Sequence, residues 1–220
     1  MSLPTFLRAI AKMNPTSLSS ISPIQMIGLW LLLALLLLPG PGLAFSNLQD
    51  YLTAFQDKRV DVRKGALERL LDCLAEDKEC LEGGSRDSFG QLVMAVIDLL
   101  ADPDPKVREA AILYLKQSTD ARVLKPIARL LRDGNDDVRA AAAGAFYHMT
   151  VDRVVVGELE HLLMDKNKRV RMEAAGSLGL SGTKRSLGIL RGALDRETDN
   201  EVRELFMQAI QELERKTNRD

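Results

Sequence analysis

From residue 46 onward, apolar side chains recur at helical spacing on either side of a repeated polar turn. Five segments carry one signature: DKRVDVRKGALERLL from Asp57, DPDPKVREAAILYL from Asp102, DGNDDVRAAAAGAF from Asp133, DKNKRVRMEAAGSL from Asp165 and DRETDNEVRELFMQAI from Asp195. A Val–Arg pair falls at 62/63, 107/108, 138/139, 170/171 and 202/203, in steps of 45, 31, 32 and 32 residues. In the first four segments an Asp stands five residues before the Val; the fifth, read from Asp195, carries two extra residues. Four and eight positions after the Val come Ala66 and Leu70, Ala111 and Leu115, Ala142 and Phe146, Ala174 and Leu178, and Phe206 and Ile210. That spacing is one face of an α-helix. A second apolar face precedes each turn, with Tyr51, Val96, Ile127, Leu159 and Ile189 six positions ahead of the Asp. Each unit therefore predicts a helix, a short polar turn and a second helix. Neither helix can bury its stripe alone, so the units must stack into one continuous core. The fold class this implies is all-α: an α-solenoid of about five helix pairs over residues 45–217.

The signature D-x-x-x-x-V-R-x-x-A-x-x-x-L at 31–32 residues resembles HEAT repeats of the short type first recognised in phycobilin lyases. The resemblance covers Ser46 to Arg215 and is specific for fold. For function it says little, because one repeat architecture hosts many unrelated roles. It implies that Arg63, Arg108, Arg139, Arg171 and Arg203 form a ladder with the turn aspartates Asp57, Asp102, Asp133, Asp165 and Asp195. A cation in the first turn of a helix opposes the helix dipole, so a nearby carboxylate is expected on that ground too; an anion-binding stripe is the alternative. The resemblance also implies that the second helices line a concave face.

The one irregular step locates an insertion, residues 76–88, reading EDKECLEGGSRDS. It is either a binding element or a tolerated surface loop. Cys73 and Cys80, the only cysteines, flank the start of this segment. A continuous helix would hold Cα atoms seven residues apart at about 10 Å, too far for a disulfide, so pairing requires the helix to end near residues 76–78.

Ahead of the repeats, no charged residue occurs between Lys12 and Asp50. Within that gap runs Met26 to Leu38, apolar except for Gly28, and then Pro39, Gly40, Pro41 and Gly42. Arg8 and Lys12 precede it. This is the order of a secretory signal, with Gly42 and Ala44 as the small residues before a cut at Phe45. Residues 1–44 are thus expected to be a signal peptide or, uncleaved, a signal anchor. An arginine-poor transit peptide is a third reading. A signal or an anchor places the repeats outside the cytoplasm, where an oxidising medium favours the Cys73–Cys80 disulfide.

Composition narrows function mostly by exclusion. With 46% hydrophobic and 28% charged residues the chain is neither a disordered tail nor a disulfide scaffold. Thirty basic residues against thirty-one acidic ones give a net charge of −1, without the basic surplus that nucleic acid binding needs. Two histidines on different predicted helices, His148 and His161, show no zinc-ligand spacing. Deoxyhypusine hydroxylase, a relative of this repeat class, holds iron through His-Glu dipeptides, and here only the reverse order, Glu160–His161, occurs. No catalytic residue, metal or cofactor is expected. Gly176, Gly179 and Gly182 follow no strand and read as close-packing positions rather than a nucleotide fingerprint.

The remaining signal is aromatic. Phe146 falls on the core position of the third unit, and Tyr147 and His148 follow it as surface candidates for protein binding. If equivalent positions of successive second helices lie side by side, Tyr147 aligns with Lys116, Gly179 and Gln211, and Gly179 leaves space beside the ring. The expected function is a non-catalytic scaffold or adaptor for another protein, working outside the cytoplasm through the concave face. Membrane contact is expected only through residues 26–38, if they are uncleaved. The alternatives are a membrane-anchored structural subunit of an envelope complex, and a lyase-like enzyme or chaperone.

Overall fold

The computed structural model describes residues 47–75, 86–147, 149 and 152–218. The segment expected to direct export, residues 80 and 148, and most of the insertion lie outside the described residues. Among the described residues there are ten α-helices and no strand. They pair as α1 (Leu48–Phe55) with α2 (Val60–Ala75), α3 (Arg86–Asp98) with α4 (Pro105–Leu115), α5 (Leu124–Arg129) with α6 (Asp136–Ala145), α7 (Arg153–Leu162) with α8 (Lys168–Ser181), and α9 (Lys184–Leu194) with α10 (Asn200–Thr217). Residues Arg86 to Ser88, expected in the inserted loop, are the first turn of α3.

Local chemistry sets where the second helices begin. Asp104, Asn135, Asn167 and Asp199 are extended N-cap residues whose side chains accept the first free backbone N–H groups of α4, α6, α8 and α10. Pro105 then opens α4, where a missing N–H costs nothing. The third unit's first helix is the weakest. α5 has six residues, includes Pro126, and is flanked by 3₁₀ turns at Ala121–Val123 and Leu130–Arg132.

The second helices pack side by side along the stack, α2 on α4, α4 on α6, α6 on α8 and α8 on α10, and the first helices form the other layer. Val107, Val138, Val170 and Val202 are fully buried between the layers, as are Ala66, Ala111, Ala142 and Ala174 four positions on. Alanine keeps neighbouring axes close, while Leu70, Leu115, Phe146 and Leu178 fill the space behind it. Tyr51, Val96, Ile127 and Leu159 supply the first-helix side. In the last unit the role passes from Ile189, which is only partly buried, to the fully buried Leu190. Buried polar links join neighbouring units within each layer. Ser177 Oγ donates to the carbonyl of Ala143 at 2.7 Å, and Ser186 Oγ to the buried carboxylate of Glu160 at 2.7 Å.

Candidate functional site

Among the described residues, the turns between paired helices hold a repeated set of bidentate ion pairs. Arg63 donates from Nε and Nη2 to both carboxylate oxygens of Asp102, at 2.6 and 2.9 Å. Arg108 grips Asp133 the same way at 2.9 and 2.8 Å, and Arg139 grips Asp165 at 2.9 and 3.0 Å. In each case the remaining Nη1 reaches back to the carbonyl of the preceding turn residue: Asp57, Asp102 and Asp133, at 2.7–2.8 Å. One guanidinium thus ties its own turn to the next. The bidentate fork is the strongest form of this pair, and the side chains are largely withdrawn from solvent.

The expected pairing needs three corrections, at Asp195, Asp57 and Arg203. The rung after Asp165 is Glu197, not Asp195: Arg171 donates to its two oxygens at 2.6 and 3.1 Å. Asp195 is an exposed residue at the end of α9 and forms no rung. Glu197 stands five residues before Val202, the spacing of the other four turns, so position rather than residue type marks the rung. Its longer side chain still accepts the N–H of Asp199, as Asp133 and Asp165 accept those of Asn135 and Asn167. Asp57, in the first unit, takes no ladder arginine; it holds Arg59, an exposed side chain beside it. Arg203 donates to the carbonyls of Leu194 and Glu197.

These contacts shift the carboxyls. Burial disfavours the charge on Asp133 and Asp165, but the arginine fork and the backbone N–H outweigh it and hold both below the usual carboxylate range. Glu197 is lowered by the same balance. From Arg63 to Arg171 each guanidinium of the stripe is matched by a carboxylate, which is the arrangement of a structural clamp rather than of an anion site.

Tyr147 lies elsewhere, just past the end of α6. Phe146 before it is fully buried, and Tyr147 is 45% exposed. The ring packs against Gly176, where an added Cβ would stand 3.5 Å from it. The expected neighbour Gly179 instead meets α10: an added Cβ there would lie 3.1 Å from Ala209 Cα. Tyr147 thus meets α8 three residues before its repeat-equivalent position, Gly179. Tyr147 borders a cleft of about 820 Å³ with Lys116, Gly144, Met149 and Glu173. The Glu173 carboxylate lies over Gly144, close enough that a Cβ there would displace it. Lys116 and Tyr147 thus meet at one cleft; Gln211, exposed on α10, does not line it. Glu173 was not evident from the repeat pattern, and the glycine opposite it was the available signal.

Cys73 is buried near the end of α2 and disulfide-bonded. Cys80, the other cysteine of the chain, lies outside the described residues. Among the described residues no group of three or more His, Cys, Asp or Glu side chains is placed to hold a metal ion, and no helix is long and apolar enough to cross a membrane.

A stack of helix pairs tied through arginine forks at their turns has a counterpart in sequence. The family profile for HEAT repeats matches residues 55–147 and 149–211. The chain belongs to the HEAT-repeat family. The match describes HEAT repeats at large and does not narrow them to the phycobilin lyase type. No curated protein matches this HEAT-repeat chain. Among solved structures, it is similar to an engineered protein at 19% identity, covering 77% of this chain and 80% of that one, with a TM-score of 0.56. It is also similar to a designed armadillo repeat protein in complex with the peptide (KR)4, at 18% identity over 76% of this chain and 81% of that one, with a TM-score of 0.55. At such identities the likeness concerns the fold.

Proposed function

We propose that this HEAT-repeat chain is a non-catalytic protein-binding scaffold that works outside the cytoplasm and holds its partner at the cleft beside Tyr147. One observation carries the reading: an aromatic ring nearly half in solvent, seated on glycine, facing Lys116 and Glu173 across an open cleft. A ring fixed by its backing and exposed on its outer face is the form of a binding anchor. The two opposite charges give the cleft polar handles for orienting a segment of another protein. The peptide complex of the designed armadillo repeat protein supports a protein ligand as the class of partner. Work outside the cytoplasm rests on the order of charges, apolar run and small residues in 1–44, and on the disulfide at Cys73.

A photo-crosslinking residue at position 147, placed in the full-length chain in its native cell, tests the site. A discrete adduct is expected. Tyr147→Ala should lose about 2 kcal/mol of affinity for the partner so identified, roughly 30-fold, with its melting temperature little changed. A variant that melts early yet binds with undiminished affinity returns Tyr147 to a packing role. Export has its own readout: the recovered protein should begin at Phe45, whereas an intact Met1 terminus in the membrane fraction favours the anchored subunit.

A further inference from the structure

The layer of first helices carries a second opening, which shares Ala121 and Leu124 with the rim of the Tyr147 cleft. Between α5 and α7 lies a wedge of about 1120 Å³, lined by Leu124, Ala128, Val154 and Val155, with Phe146 at its base. Its lining is mostly apolar, and Val154, 70% exposed, is the most exposed large aliphatic side chain among the described residues. The cause is the weak third unit: α5 is short and broken by 3₁₀ turns, so it leaves α7 partly uncovered.

The rim is cationic. Arg122, Lys125, Arg129 and Arg132 all border the wedge. Arg122 is held by Asp120 and Arg132 by Glu158. Lys125 and Arg129 are exposed, and among the described residues no carboxylate engages either. They sit four residues apart, so they project from one side of α5. Of the two acids in the lining, Glu158 is already paired with Arg132 and Asp152 accepts the N–H groups of Val154 and Val155. Counting Asp120 with the lining, four cations meet three carboxylates, so the net charge of the rim is positive.

We propose that this wedge is a second docking site, taking a short acidic amphipathic helix from a partner protein. Its apolar side chains would enter between Leu124–Ala128 and Val154–Val155, and its Asp or Glu side chains would meet Lys125 and Arg129. The walls favour a helix over an extended peptide. They are helix flanks with no free sheet edge, so an extended backbone pressed into them would leave polar groups without partners, while a helix satisfies its own. The lined length of α5 and its following turn, Leu124 to Arg132, corresponds to about 12–15 Å, or two to three turns of a ligand helix.

The test uses the full chain, labelled for NMR, and a synthetic 18-residue helical peptide with Leu on one face and Glu on the other. Two control peptides have Lys in place of Glu, and the same composition in scrambled order. The acidic peptide is expected to shift resonances of α5 and α7 and to bind at least tenfold more tightly than either control. Lys125→Glu with Arg129→Glu, and separately Val154→Asp, should each weaken it at least tenfold with unchanged melting temperatures, since all three side chains are exposed. Tyr147→Ala should leave it unchanged, which separates this site from the cleft. Equal binding of the lysine or scrambled peptide, shifts mapping to the second helices, or no binding at millimolar peptide would overturn the proposal. So would loss of binding to phosphatidylglycerol vesicles in the same variants without any peptide binding, which would make the wedge a lipid site.

Discussion

Truncating Arg139 is the sharpest test of what the ladder contributes. This guanidinium holds Asp165 through two hydrogen bonds at 2.9 and 3.0 Å, Asp136 at 2.7 Å and the Asp133 carbonyl at 2.8 Å. Its side chain and that of Asp165 are each 10% exposed. Arg139→Ala would leave Asp165 near Asp136 with its cation gone and one backbone N–H, from Asn167, still in place. Removing one partner of a buried pair costs about 3–5 kcal/mol, because the other charge stays desolvated. The partial exposure places this case near 3 kcal/mol. In a domain of this size each kcal/mol moves the melting temperature by roughly 2–4 °C, so a fall of about 6–12 °C is expected. Urea titration should show a lower midpoint, and a lowered slope would mean that the stack has begun to melt in parts. Arg122→Ala serves as the control: its pair with Asp120 leaves Arg122 57% exposed, and a solvent-screened pair of this kind contributes little to stability. Arg139→Met combined with Asp165→Leu should recover most of the loss. If Arg139→Ala costs no more than Arg122→Ala, the rungs are surface decoration and the clamp argument fails.

Acid should weaken the stack through the same groups. Asp133, Asp165 and Glu197 titrate below their unfolded values, so their stabilisation is present above about pH 4 and is lost as the pH falls through that value towards their folded ones; Asp165→Asn should be less stable at pH 7 and show a flatter acid limb in urea melts. Gly65→Ala, in a helix where an added Cβ meets nothing within 4 Å, should raise stability by up to about 1 kcal/mol. Gly179→Val should lower it by more than about 1 kcal/mol, because its branches would press on the Ala209 backbone; calorimetry of the two variants reads both signs. Pairing of Cys73 with Cys80 predicts no free thiol in the denatured, unreduced protein and two after reduction, counted by mass after alkylation.

Much of this fold was legible because burial in a stacked repeat falls on fixed positions. The Val and the residues four and eight places beyond it face the core in every unit, which one helical period dictates. The errors arise where the period is interrupted. Two extra residues in the last turn drew attention to Asp195, although the carboxylate at the conserved distance from Val202 is Glu197. In the same unit the first-helix core position is Leu190, one residue beyond the expected Ile189. The site was less legible than the fold. Repeat register says which helices touch but not which side chains meet, and the Tyr147 ring reaches Gly176, three residues before the expected Gly179. Glu173 enters that cleft from a position where other units carry Gly65, Ala110, Ala141 and Leu205, so no recurring chemistry announced it.

Every rung points the same way: an arginine reaches forward to the carboxylate of the following unit. The stack therefore has a direction, and its two ends are chemically unlike. At the front, Asp57 has no ladder arginine among the described residues: it turns to its own loop and binds the N–H and side chain of Arg59. At the back, Arg203 keeps its hold on two carbonyls while, among the described residues, no carboxylate meets its remaining N–H groups. A unit grafted behind α10 with an acid five residues before its Val would find an oriented donor already in place. One grafted ahead of α1 would have to bring its own arginine and compete with Arg59 for Asp57. Lengthening this scaffold is thus easier from one end than from the other, and the asymmetry is written in a single side chain per unit.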